Sequence, residues 1–228
     1  MIASCKEPPR LATPGDAEKA QTGRFLRTQP SPAPPETLIV MGASAGGPTA
    51  LAQVLGGLPS DFAAAVVVIQ HIDPQFAHSL ADWLNSRSRL SVRLAQAPEY
   101  PERGVALVAG RNAHLVFTSP RCIGYVNEPN DSAYRPSIDL LFQSAERFWN
   151  GRIIGVLLTG IGRDGAQGLR RLRSAGGHTI AQDAASSAVY GMPKAAAELC
   201  AATDILPLNN IAPRLIELVA NRAHLHVR

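Results

Sequence analysis

Residues 37–58, TLIVMGASAGGPTALAQVLGGL, run from a short apolar stretch through a glycine-rich turn into a helix signal. The stretch 37–41 lacks the polar alternation of a half-solvated strand. It therefore predicts a parallel strand covered on both faces. Pro48 opens the predicted helix 48–58, where a missing N–H costs little because the first helical turn leaves its donors unpaired. A buried strand, a tight turn of small residues and a helix form the opening unit of an α/β sheet, and the rest of the chain repeats that unit.

The run 63–70 (AAAVVVIQ) is a second buried strand. Asp73 and Pro74 then supply an N-cap and first-turn pair for a helix over 74–86. SVRLAQ (91–96) is a third strand. GVALVAG (104–110), HLVFTS (114–119) and CIGYVN (122–127) follow with very short turns, which predicts an antiparallel hairpin or meander. Pro136 and Ser137 start a helix over 137–149. A strand at 152–160, a helix at 165–175, a strand at 178–183, a helix at 193–199, a short strand at 204–208 and an amphipathic helix at 211–223 complete the pattern. Alternating strands and helices predict a doubly wound α/β domain over residues 37–228: a largely parallel sheet, helices on both faces, and an antiparallel hairpin insertion. Residues 1–36, ending QPSPAPPE, carry no apolar periodicity and are expected to be a disordered, proline-rich segment.

Composition narrows the classes of function. Of 228 residues, 46% are hydrophobic, enough for one sizeable core, and the net charge of +4 is diffuse. Arg170, Arg171 and Arg173 read as a solvated helix face. No aromatic-interleaved basic stripe is present, so nucleic acid is not an expected partner. Three scattered cysteines argue against a disulfide framework or a zinc knuckle and fit a reducing compartment. No secretory signal or membrane-length apolar run is visible, so the expectation is a cytoplasmic protein without direct membrane insertion.

Three strand ends carry candidate chemistry. Gly42-Ala43-Ser44-Ala45-Gly46 fits G-x-S-x-G in the right context, strand before and helix after, which lifts a serine oxygen above the sheet edge. The N–H groups at the new helix start point at whatever the serine attacks. His71 follows the buried strand VVVIQ at the carboxyl edge, where α/β sheets bind ligands. Asp164, in GVLLTGIGRDGAQGL, sits at another carboxyl edge just before a helix. It is either that helix's N-cap or the carboxylate that orients a histidine. Asp183 and Asp139 are rivals for the same role. The other histidines are weaker candidates: His114 in the hairpin, His78 mid-helix, His178 at a strand start, and His224 and His226 near the end. No H-E-x-x-H or similar spacing suggests a metal, and no cofactor is expected. The order Ser…His…Asp departs from the usual α/β-hydrolase order, but geometry rather than order defines a triad.

Taken together, IVMGASAGGPTAL, VVVIQHIDPQFAHSLADWL, RPSIDLLFQSA, VLLTGIGRDGAQGLR and IAQDAASSAVYGMPKAA resemble the catalytic domain of the chemotaxis protein-glutamate methylesterase (CheB) family, in family order across roughly residues 37–208. The resemblance implies Ser44 as nucleophile, His71 as base and Asp164 as the orienting carboxylate. It also implies an oxyanion hole using the backbone N–H of Ile161, beside that of Ala45 in the Ser44 turn. The implied reaction removes methyl groups from glutamate side chains on the cytoplasmic helices of methyl-accepting chemoreceptors, with deamidation of receptor glutamines by the same acyl chemistry. Ile161 stands where the family usually has methionine, and VAGRNAHL lacks a proline usual in that loop. Family members usually carry an N-terminal receiver domain. About 36 residues precede this core, too few for one, which leaves two readings of the segment: a remnant linker whose receiver sits on a separate protein acting in trans, or a tether to the receptor array. Two other readings stand beside this one: a serine esterase or amidase of the same mechanism on another substrate, and a non-catalytic module holding phosphate at the glycine-rich turn.

Overall fold

The computed structural model describes residues 35–130 and 132–221. The disorder expected for 1–36 falls, but for its last two residues, outside them, as does the end of the last expected helix. The elements in chain order are β1 (Thr37–Ala43), α1 (Gly47–Gly56), β2 (Ala64–Gln70), α2 (Pro74–Arg87), β3 (Ser91–Leu94), β4 (Val105–Val108), β5 (His114–Ser119), β6 (Cys122–Val126), α3 (Ile138–Phe148), β7 (Arg152–Leu157), α4 (Ala166–Ser174), β8 (His178–Gln182), α5 (Met192–Glu198), β9 (Asp204–Leu206) and α6 (Leu208–Ala220). Seven strands form one sheet in the order β3-β4-β2-β1-β7-β8-β9, and every pairing in it is parallel.

Alternation along each strand sorts the core into two layers. Ile39 and Met41 of β1 pack with Leu51, Val54 and Leu55 of α1, Leu84 of α2 and Leu215 of α6. Leu38 and Val40 face the other way, onto Leu141 and Phe142 of α3, Leu169 of α4 and Ala196 of α5. A strand covered on both faces has no solvent side, so β1 and β2 are buried at every position. Each fully buried Leu, Ile, Val or Phe side chain adds about 1.5–3 kcal/mol of transfer free energy, which is the main force holding helices to the sheet.

The meander is corrected in one respect. β5 and β6 pair as the antiparallel hairpin, whereas the run containing β4 joins the parallel sheet between β2 and β3. The reason is visible in its side chains. Ala106 and Val108 enter one core layer while Leu107 enters the other, so neither face of β4 could have been left to water. The hairpin instead packs Leu115, Phe117 and Ile123 against the α3 layer.

From β1 the chain steps one way to β2 and, after the outer strands, returns to β7 on the opposite side of β1. The carboxyl ends of β2, β1 and β7 thus flank the place where strand order reverses, the position at which open α/β sheets form their ligand crevice. Among the described residues, no helix is long and apolar enough to cross a membrane.

Candidate active site

Ser44 is the first residue beyond β1. In the β1–β2 register Ala43 lies opposite Gln70, so Ser44 and His71 are the next pair along. The His71 N–H continues the ladder by donating to the Ala43 carbonyl at 3.0 Å. On the other side the Ser44 N–H donates to the Thr159 carbonyl at 3.0 Å. Backbone bonds thus set the serine between the ends of β2 and β7.

Buried polar side chains hold that turn. The Gln70 amide donates to the carbonyls of Ser44 and His71, each at 2.9 Å. The Thr159 hydroxyl donates to the Ala45 carbonyl at 2.8 Å, and the Thr159 N–H in turn donates to Gln182 Oε1 at 2.9 Å. Gly46 caps α1 in the left-handed region, at φ 79°. The methyl of Ala188 occupies the place its Cβ would take, so both conformation and space require glycine. The N–H groups of Ala45 and Ile161 donate to no acceptor among the described residues. Ala45 follows Ser44 in the chain, and Ile161 follows Gly160, where an added Cβ would meet the Ser44 side chain.

His71 Nε2 lies 2.9 Å from Asp164 Oδ2. The two side chains are only 12% and 4% exposed, so water does not compete for that bond. His71 Nδ1 is buried with no hydrogen-bond partner among the described residues. It is the nitrogen free to exchange a proton, the reverse of the template in which the carboxylate holds Nδ1. The ring is covered on one face by Tyr134, stacked at 4.6 Å between centroids and 3° between planes.

Asp164 does not cap the helix it precedes: Gly165 is the N-cap of α4. Asp164 caps α3 instead, accepting from the N–H groups of Ile138 at 2.7 Å and Asp139 at 3.0 Å and from the Ser137 hydroxyl at 3.0 Å. Burial pushes this carboxyl up, but the His71 bond and the two helix N–H groups outweigh it and hold Asp164 below its ordinary value. The carboxylate therefore stays ionised beside the imidazole.

Asp139 returns the favour to α4. It sits in the first turn of α3 and accepts from the Gly168 N–H at 2.6 Å. Burial, joined by the nearby Asp164 charge, pushes its carboxyl up to about 6 although helix N–H groups pull the other way. Each of the two helices is capped by an aspartate of the other's segment.

The structure separates the sequence candidates. Ser44, His71 and Asp164 converge on one sheet edge. Asp183 closes its own loop by accepting from the Ser186 N–H and hydroxyl at 2.9 and 2.6 Å. His78 pairs with Asp82 on the surface, and His178 pairs with Asp204 at 2.8 Å; His224 and His226 lie outside the described residues. His114 is completely buried. Its Nδ1 accepts the Ser137 N–H at 3.1 Å while Nε2 donates to the Pro129 carbonyl at 3.1 Å, so its partners dictate its tautomer. Sequence reasoning missed Gln70, Thr159, Gln182 and Tyr134. Gln70 and Gln182 had a signal, a polar residue closing an otherwise buried apolar strand; Tyr134 had none. Among the described residues no group of three or more His, Cys, Asp or Glu side chains is placed to hold a metal ion.

Comparison with known proteins gives a consistent result. Residues 39–215 match the family described as CheB methylesterase. A protein-glutamate methylesterase/protein-glutamine glutaminase 1 of Pseudomonas fluorescens is 53% identical over 204 residues, covering 88% of this chain and 61% of the relative. The corresponding protein 2 of Cupriavidus metallidurans is 57% identical over 187 residues, covering 82% of this chain and 55% of the relative. The chain thus spans little more than half the length of these relatives. The crystal structure of the Thermotoga maritima CheB methylesterase catalytic domain is 34% identical, with a TM-score of 0.74, covering 79% of this chain and 97% of that one.

Proposed function

The chain belongs to the CheB methylesterase family, and from that premise we propose that it hydrolyses glutamyl methyl esters on methyl-accepting chemoreceptors and deamidates receptor glutamines. The observation that carries this reading is the buried 2.9 Å contact between His71 and Asp164, with His71 opposite Ser44 at the switch point of the sheet. A phosphate-binding turn would have no use for an ionised carboxylate held against a histidine.

In this reading Ser44 Oγ attacks the ester carbonyl and its proton passes to His71 Nδ1. Asp164 stabilises the imidazolium through Nε2. Negative charge develops on the carbonyl oxygen and is held by the N–H groups of Ala45 and Ile161. The C–O bond breaks, methanol leaves with the proton from His71, and a glutamyl-Ser44 ester remains. Water then attacks that ester, gives a proton back through His71 and frees glutamate and Ser44. With glutamine the leaving group is ammonia and the second half is identical. Because the oxyanion donors are backbone groups, the side chain at position 161 can vary between family members without loss of the hole.

The direct test is methanol release from a methyl-esterified receptor fragment, paired with labelling by a fluorophosphonate probe. Release and labelling that are both lost in Ser44→Ala support the assignment. Labelling without release points to a serine hydrolase with another substrate. Absence of both in the folded wild-type chain refutes the serine chemistry.

A further inference from the structure

We propose that Tyr134 is a positioning residue for the reaction: a platform that fixes the plane of the His71 ring and ties it to the turn carrying the Ile161 N–H. The proposal rests on the reaction assigned above. One hydrogen bond, Nε2 to Asp164, fixes a direction but not a plane, since the imidazole can swing about that line. The stacked Tyr134 ring, parallel within 3°, removes this freedom and covers the ring face. A ring face favours a cation over it, so the same contact strengthens when His71 is charged midway through each half-reaction.

The other end of Tyr134 reaches the second half of the site. Its hydroxyl occupies the place a Cβ would take at Gly162, a residue at φ 84°. That residue follows Ile161 directly. One side chain therefore touches the base and the loop that presents an oxyanion donor. Its own placement is enforced from below. The segment bearing Tyr134 is pinned by His114, which bonds Pro129 before it and Ser137 after it, each at 3.1 Å. Within the segment the Ser132 hydroxyl donates to the Tyr134 carbonyl at 2.9 Å. A surface loop with no catalytic work would not need a fully buried histidine to hold both ends.

The experiment compares wild type, Tyr134→Phe, Tyr134→Leu and Tyr134→Ala as full chains, each checked for native circular dichroism and Tm. Methanol release from a methylated receptor fragment gives kcat and KM, and fluorophosphonate labelling gives a rate that needs no receptor. The downfield proton resonance of the His71–Asp164 bond reports the pair without any substrate. The expected result is a fall in kcat and labelling rate of about tenfold in Leu and Ala, with KM within about twofold, and recovery to at least half of the wild-type rate in Phe. The downfield resonance should persist in Phe and broaden in Leu and Ala. Leu keeps the volume without an aromatic face, so it decides the matter if Ala does not fold. Wild-type rates in Leu, an equal fall in Phe and Leu, or an effect on KM alone would each overturn the platform. If wild type labels but releases no methanol, the substrate reading fails while labelling and the resonance still judge Tyr134.

Discussion

Replacing Asp139 by Asn should make the protein relatively more stable as pH rises. In the native state Asp139 is pushed up to about 6 from an ordinary 3.8, so the folded protein binds this proton more tightly than the unfolded chain. Stability from this group is therefore greatest below pH 4, declines as the carboxyl ionises, and is fully lost above about pH 7. A shift of that size corresponds to about 3 kcal/mol at 1.36 kcal/mol per unit. Water reaches part of the carboxylate, and screening reduces the figure to about 1.5 kcal/mol. Asn keeps an oxygen for the Gly168 N–H but never carries charge beside Asp164. For a domain of this size, about 1.5 kcal/mol is worth about 3–6 °C in Tm. The assay is thermal unfolding of wild type and Asp139→Asn at pH 4 and pH 7.5. The quantity to read is the change in their Tm difference between the two pH values, which cancels any packing difference that is independent of charge. A difference constant within about 1 °C, or one that moves against Asn at pH 7.5, would refute the reasoning.

Ser44→Ala should abolish methanol release while leaving Tm within about 2 °C, because among the described residues no side-chain hydrogen bond of Ser44 supports the fold; more than a few per cent residual rate would remove Ser44 as nucleophile. Asp164→Asn should lower kcat by several orders of magnitude and also lower Tm, since its carboxylate caps α3, whereas Asp183→Asn should alter Tm and leave turnover within about threefold; kinetics in which Asp183→Asn is the inactive variant would exchange their roles. Phe142→Ala, which removes a fully buried ring of α3 from the layer it shares with α4, should cost about 3–5 kcal/mol in chemical denaturation, and a loss under about 1 kcal/mol would show that the α3 layer does not carry the core.

How much of this was legible in the sequence depends on whether the information is local. β1 and β2 were, because seven buried positions in a row leave no periodicity to mistake. The short turns after β4 suggest pairing with the next run, while its place between β2 and β3 and the two core layers that cover its faces arise only in the folded chain. Ser44, His71 and Asp164 were legible as strand-end residues. That Asp164 caps α3 rather than α4 was not, since its partners Ile138 and Asp139 lie over twenty residues away and meet it only after the helices dock. Tyr134 has no periodic or spacing signal at all; its stacking on His71 exists only in three dimensions.

The exchanged caps of α3 and α4 bear on how variants of this protein behave in living cells. Loss of the Ser44 hydroxyl breaks neither cap, so that variant should be present in a normal amount. Substitution of Asp164 removes the carboxylate that clasps the start of α3, so proteolysis should thin out the protein itself. The two variants should therefore differ on an immunoblot. The serine variant is therefore the stand-in to use wherever the protein must be present at its normal level.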